Sequence, residues 1–152
     1  MFNRSAGTWV YYTGYLYTMR DGTLRKMVED EFVFDNIYPV YFCGPSFKGK
    51  LAVGACGPTT TARMEKFFPW LISRGFDAII GKGSLSQGAM SLIKGKMEYL
   101  LAVGGAGVVY GEVVKEYEII AYGELGPEAL LRLYVKNMPL LVAYDFSGIN
   151  II

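Results

Sequence analysis

The chain has 152 residues, the size of one compact domain, and residues 1–152 are read as a single unit. With 52% hydrophobic and 19% charged residues, a chain of this length buries about 70% of the surface its unfolded form exposes, which excludes disorder. Fifteen Lys+Arg against fourteen Asp+Glu leave a net charge of +1, too little for a nucleic-acid or anionic-membrane binder that depends on counterion release.

Thr8 to Tyr17 is rich in β-branched and aromatic residues and predicts a strand bent at Gly14. Arg20 to Asp30 places Leu24, Met27 and Val28 at helical spacing, with Thr18 or Asp21 as its cap. Tyr38 to Cys43 and Lys50 to Cys56 are apolar runs ended by Gly44-Pro45 and Gly57-Pro58, the pattern of buried strands closed by turns. From Thr59 to Gly75, Met64, Phe67, Phe68, Leu71 and Ile72 form an apolar helical stripe. Pro69 breaks it, so a kink or a fresh helix start is expected near Phe68.

Asp77 to Gly81 predicts a short buried strand feeding a helix over Ser84 to Lys94, and Met97 to Val103 a further strand. Glu118 to Tyr122 is expected to be another. Gly126-Pro127-Glu128 is expected to open a last helix, because proline suits a first turn, and Leu140 to Tyr144 to form a final strand ending at Asp145. The alternation is mixed α/β.

Histidine is absent, which removes the usual general base near neutral pH and every Ser/His or Cys/His pairing. Cys43 and Cys56 are the only cysteines, too few for a zinc site or iron–sulfur cluster; both are expected to be buried, reduced thiols. Met1 to Arg4 is not followed by a signal-peptide core, and no charge-free run reaches ~18 residues. A soluble, cytoplasmic protein is expected.

The glycine-rich turns do not carry a phosphate-binding signature. Gly81-Lys82-Gly83 has neither the spacing of a phosphate loop nor, with Ser86 in the third glycine position, a dinucleotide fingerprint. Gly104 to Gly107 reads as an anion-contacting turn or as a tight strand exit. The most informative segment is Gly57 to Met64, GPTTTARM, where a strand gives way to a helix. Hydroxyls stand at the capping positions and Arg63 supplies a planar fork suited to a carboxylate. Arg20, Arg63 and Lys82 each follow a strand exit, where ligands of α/β sheets collect. A pocket joining them would suit a small dicarboxylate; for each cation alone, an isolated surface charge is the competing reading.

GPTTTARM, then Gly81-Lys82-Gly83, VGGAG from Val103 to Gly107 and LGPEA from Leu125 to Ala129, preceded by TMRD from Thr18 to Asp21, carry a resemblance. Together they resemble the β subunit, or C-terminal domain, of the class I, iron–sulfur-dependent fumarate hydratase and L-tartrate dehydratase family. The resemblance implies a swivelling β/β/α domain with a mixed sheet. It also implies a [4Fe–4S] cluster held by three cysteines of a partner α subunit, and none held by this chain. Arg20, Arg63 and Lys82 would bind the substrate carboxylates, and Thr59 and Thr60 would lie against the reacting carbons. The first threonine of that pair would be the proton-abstracting base, activated by an α-subunit carboxylate unless that carboxylate is itself the base. Two positions depart from the family pattern: Leu24 stands where a histidine is usual, and Thr61-Ala62 replaces a small pair ending in glycine.

The function so implied is reversible hydration of a small dicarboxylate, fumarate to malate first and L-tartrate dehydration second. A non-catalytic carboxylate-binding or assembly domain is the rival from another class. Aromatic residues make up 15% of the chain, so some are expected on the surface, rimming the pocket of Thr59, Arg63 and Lys82, where they would meet the α subunit or, in its absence, a second copy.

Overall fold

A computed structural model describes residues 4–48, 52–102 and 111–152. The fold is mixed α/β around a six-stranded mixed sheet. β1 (Trp9–Met19) leads through α1 (Asp21–Asp30) to β2 (Val40–Phe42). A small antiparallel hairpin follows, β3 (Phe47–Lys48) with β4 (Ala52–Val53). Next come a 3-10 helix (Thr61–Phe67), α2 (Phe68–Ser73), β5 (Ala78–Gly81), α3 (Gln87–Ile93) and β6 (Glu98–Leu101). The chain ends with β7 (Val114–Ala121), a 3-10 turn (Gly123–Glu128) and the long β8 (Leu130–Tyr144).

β1, β2, β5 and β6 are parallel neighbours in that order. β8 is antiparallel to both β6 and β1, so the pairing runs from β1 round to β8 and returns to β1, while β7 adds to β8. Successive residues of the short parallel strands serve opposite sides, as a period of two requires. Phe42, Ile79 and Tyr99 pack with Leu24, Met27, Met64, Phe68 and Ile93 under the helices. Tyr41, Ile80 and Leu100 pack instead with Leu16, Leu131, Leu133 and Leu140.

Most predicted elements occupy their expected places. β1 has a register shift between Tyr12 and Gly14, and a Cβ on Gly14 would come within 2.8 Å of the Tyr12 hydroxyl. Pro69 falls at the start of α2, where its missing N–H costs nothing. Four expectations are corrected. The start of α1 is capped by neither Thr18 nor Asp21: Thr23 Oγ1 accepts from the Arg20 backbone N–H at 3.2 Å. Of the core strand expected from Lys50 to Cys56, the described residues form only β4 of the small hairpin, because its partner is the nearby β3 and not the main sheet.

The expected helix after Gly126-Pro127-Glu128 does not form; β8 starts at Leu130 and the expected final strand is its last third. Leu131, Leu133 and Val135 are buried, alternating with half-exposed Arg132 and Tyr134, and that period of two is satisfied by β1 on one side and β7 on the other. The fourth correction concerns the GPTTT segment and is given with the site below. No helix among the described residues is long and apolar enough to cross a membrane.

Asp145 closes the sheet's far end. Its carboxylate accepts from Ala6 N at 2.9 Å, Ser147 N at 3.0 Å, Ser147 Oγ at 2.5 Å and Ile149 N at 3.2 Å. The Ser147 hydroxyl, with these backbone donors, holds its pKa below the ordinary carboxylate value, outweighing desolvation. A lowered folded-state pKa stabilises the fold above the unfolded-state pKa, and that contribution fades as pH falls from there through the lower folded-state pKa. Asp145→Asn is therefore expected to lower the stability at pH 7 by about 1.5–3 kcal/mol, the worth of a charged hydrogen-bond acceptor, seen as a lower urea midpoint. The gap to the parent should shrink below about pH 4; an equal gap at pH 7 and pH 3 would contradict this role.

Candidate functional site

Three neighbouring parallel strands end at one level of the sheet. Met19 pairs with Phe42 and Tyr41 with Ile80, so Arg20, Cys43 and Lys82 each stand at or just beyond a strand's C-terminal end. The Gly57–Thr61 segment lies across those ends. Cys43 and Pro58 form an antiparallel bridge, Thr59 N donates to Phe42 O at 2.7 Å, Thr60 bridges Lys82 in parallel, and Thr61 N donates to Lys82 O at 3.1 Å. The chain thus brings Thr59, Thr60 and Lys82 together, with Arg20 one strand away.

Arg20 is held by close approach of backbone. A Cβ on Gly44 would lie 2.6 Å from Arg20 Cδ, 2.8 Å from Arg20 Nη1 and 3.2 Å from Pro127 O, so a side chain at position 44 would push the arginine out of this position. The first turn of α1 is fixed by the LGPEA segment: Gly22 N donates to Glu128 Oε1 at 2.9 Å, and the Thr23 hydroxyl donates to the Glu128 carbonyl. Arg20 Nε is buried and has no hydrogen-bond partner. Glu128 is a residue whose role sequence reading missed; the only signal was the recurrence of LGPEA with TMRD, since the contact spans 106 positions of chain.

The hydroxyls of Thr59–Thr61 do not cap a helix, which is the fourth correction. Thr60 stands at the cap position of the 3-10 helix without a side-chain cap bond, and the seven-residue 3-10 helix offers little of the dipole that was expected. Thr61 turns inward instead. It is fully buried and its Oγ1 accepts from Lys82 N at 3.1 Å. The Tyr99 hydroxyl lies 2.9 Å from Thr61 Oγ1 and 2.8 Å from Gly83 O. Tyr99 has one proton and the carbonyl can only accept, so Tyr99 donates to Gly83 and Thr61 donates to Tyr99. Burial raises the Tyr99 hydroxyl pKa above its usual value, keeping that proton in place.

Thr61 also explains Gly81. A Cβ there would sit 1.8 Å from Thr61 Oγ1, so GPTTT and Gly81-Lys82-Gly83 share one contact. Gly81→Ala is expected to cost several kcal/mol by overpacking a buried site and to release Thr60 from Lys82. Adding Thr61→Ala should recover part of that loss, measured by urea unfolding of both variants. Equal loss with and without Thr61 would place the strain elsewhere.

Thr59 and Lys82 are half-buried, and Thr60 and Arg63 are exposed. Arg63 lies in the first turn of the 3-10 helix and forms no hydrogen bond or ion pair among the described residues. Leu24 is fully buried between Met19 and Met27 in the core, so no polar group comes from that position. VGGAG, residues 103–107, lies outside the described residues. A cleft of about 300 Å³, lined by Tyr15, Glu116, Tyr117, Glu118, Arg132 and Tyr134, contains none of the five candidate residues. No group of three or more His, Cys, Asp or Glu among the described residues could hold a metal.

A family model described as Fumarase C-terminus matches residues 2–152. The "Fumarate hydratase class I, anaerobic" of Escherichia coli (strain K12) is 34% identical over 115 residues, which cover 73% of this chain and 21% of that protein. The "Fumarate hydratase 1, mitochondrial" of Leishmania major is also 34% identical over 115 residues, with the same coverage. The chain therefore spans about a fifth of the fumarate hydratases it matches. The "L(+)-tartrate dehydratase subunit beta" of Escherichia coli (strain K12) is 32% identical over 159 aligned positions, covering 96% of this chain and 78% of that subunit. Motifs, fold and similarity agree, and the chain belongs to the fumarase C-terminus family.

Proposed function

We propose that this chain is the β subunit of a heteromeric hydro-lyase that reversibly adds water to a small dicarboxylate, fumarate to malate being the leading reaction. The observation that carries the reading is the arrival of Arg20, Thr59, Thr60 and Lys82 at the ends of adjacent parallel strands. Arg20, Arg63 and Lys82 are assigned to the two substrate carboxylates. An arginine fork can take a carboxylate through two parallel N–H donors, and the buried Nε of Arg20 still has a hydrogen bond to give. A lysine adds a compact charge at the opposite end.

Thr59 and Thr60 are assigned to the reacting carbons. Neither side-chain hydroxyl is spent on a helix cap, so both remain available to a ligand. A threonine hydroxyl is a weak base unaided, and proton abstraction by Thr59 requires a neighbouring group to take up its proton. No histidine exists in the chain to do so; in this reading an α-subunit carboxylate supplies that function.

A [4Fe–4S] cluster does not fit this chain. Three thiolates are needed, whereas the chain has two cysteines, and their buried sulfurs face each other at 3.1 Å. The cluster, and with it the opposite wall of the site, is assigned to a cysteine-bearing α chain. The open, partly exposed arrangement of Thr60, Arg63 and Lys82 fits half a site awaiting its other face.

A second reading, L-tartrate dehydration, is favoured by the relative that shares most of its length with this chain, a protein named L(+)-tartrate dehydratase subunit beta. Steady-state assay of the copurified α/β complex under anaerobic conditions separates the two. A higher kcat/KM for fumarate supports the leading reading, a higher value for L-tartrate supports the second, and turnover of neither rejects both.

A further inference from the structure

We propose that Cys43 and Cys56 are an oxidisable pair that closes to a reversible intramolecular disulfide directly beneath the candidate site. Their Sγ atoms are 3.1 Å apart and both residues are 1% exposed. A disulfide brings the sulfurs to ~2.05 Å, so the two atoms need approach by only about 1 Å. The backbone already holds the two segments side by side. Cys43 bridges Pro58, two residues beyond Cys56. The Tyr41 hydroxyl donates to the Cys56 carbonyl, and Thr59 N to the Phe42 carbonyl.

The pair sits where a covalent bond would matter. Cys43 is followed by Gly44, the backbone on which Arg20 rests, and Cys56 by Gly57-Pro58 and the two candidate threonines. Burial and the neighbouring thiol push the Cys43 pKa well above its ordinary value, the Arg20 guanidinium offsetting only part of this, so the thiol form dominates at neutral pH and closure of the pair should quicken as pH rises. The bond would fix the spacing between the support of Arg20 and the segment carrying Thr59. This inference rests on the geometry of the pair and stands apart from the choice of substrate.

With hydrogen peroxide as oxidant the reaction balances. One thiolate attacks a peroxide oxygen, the O–O bond breaks, and a sulfenic acid forms as hydroxide leaves and is protonated to water. The second thiolate attacks that sulfur, the S–O bond breaks, a second water leaves, and the S–S bond forms. Two thiols and one peroxide give one disulfide and two waters.

The test treats the reduced full chain with hydrogen peroxide at a dose that leaves its methionines unoxidised. The chain is then denatured and alkylated with iodoacetamide, and its intact mass is measured. The proposal expects a monomer that has lost two hydrogens, takes up no alkyl group, yields a peptide linking residues 43 and 56, and regains two alkylatable thiols after dithiothreitol. Cys43→Ser and Cys56→Ser should each stop at a sulfenic acid trapped by dimedone. Two alkylatable thiols persisting after treatment, or disulfide-linked dimers in place of the internal bond, would overturn it.

Discussion

Arg20→Met, Arg63→Met and Lys82→Met, each made in the assembled α/β complex, are expected to lower kcat/KM for the dicarboxylate by roughly 10- to 150-fold. The estimate follows from the worth of a charge-assisted hydrogen bond, about 1.5–3 kcal/mol. Most of the loss should appear in KM, because these groups hold carboxylates that persist from substrate to transition state. Lys96→Met is the control, being an exposed lysine in the turn beyond α3, and should leave the kinetics unchanged. Of the three, Arg20 should be the most sensitive to its surroundings, because its side chain packs directly over Gly44, where a Cβ would lie 2.6 Å from its Cδ. Gly44→Ala should therefore reproduce part of the Arg20→Met effect without touching a charge. If all three substitutions matched Lys96→Met, the convergence of strand ends would have no bearing on substrate.

The threonines should behave differently. Thr59→Val and Thr60→Val keep the shape of the side chain and remove only the hydroxyl. A group that moves a proton in the transition state contributes about 10²- to 10⁴-fold, so the base of the pair should lose that factor in kcat with KM little changed. The family resemblance assigns the role to Thr59; its partner is then a positioning hydroxyl with the smaller loss. Thr61→Val is the informative comparison, because the Thr61 hydroxyl is fully committed between Lys82 N and Tyr99. That variant should lose stability, seen as a lower urea midpoint, in addition to activity. Equal kcat for the parent and both Thr59→Val and Thr60→Val would remove the threonines from the reaction.

The sequence was legible wherever the deciding interactions were local. The apolar stripe from Met64 to Ile72 marks a helical segment and Pro69 the fresh start at Phe68, because helix period and proline chemistry act within a few residues; the 3-10 winding of Thr61–Phe67 was not legible. The helix expected over Ser84 to Lys94 is α3, and its cap, Ser86 Oγ accepting from Ala89 N at 3.1 Å, is a local contact that the sequence reading did not assign. β8 was illegible for the opposite reason. Its leucines and the Gly-Pro-Glu start satisfy a helix locally, and only pairing with β1, more than a hundred positions earlier, decides for a strand. The site divides along the same line. Arg20, Thr59, Thr60, Arg63 and Lys82 could be picked out as cations and hydroxyls at strand exits, and the structure gathers Thr59, Thr60 and Lys82 through direct backbone pairing. The contacts that hold them, Thr61 against Gly81 and Glu128 against Gly22, join segments far apart in the chain. The sequence also places surface aromatics around the pocket of Thr59, Arg63 and Lys82, and this is corrected for the two most exposed aromatics among the described residues: Trp9 and Tyr11, 49% and 66% exposed, do not rim it. They stand at the start of β1, the opposite end from Arg20.

The most direct test of the account is anaerobic reconstitution of this chain with iron and sulfide, first alone and then mixed with the cysteine-bearing α chain proposed as its partner. The readouts are cluster absorbance, bound iron and fumarate hydration. The account predicts a colourless, inactive chain alone, a coloured α chain, and malate formation only in the mixture. A stable cluster on this chain alone, or a cluster-loaded mixture that hydrates fumarate no faster than the α chain by itself, would contradict it.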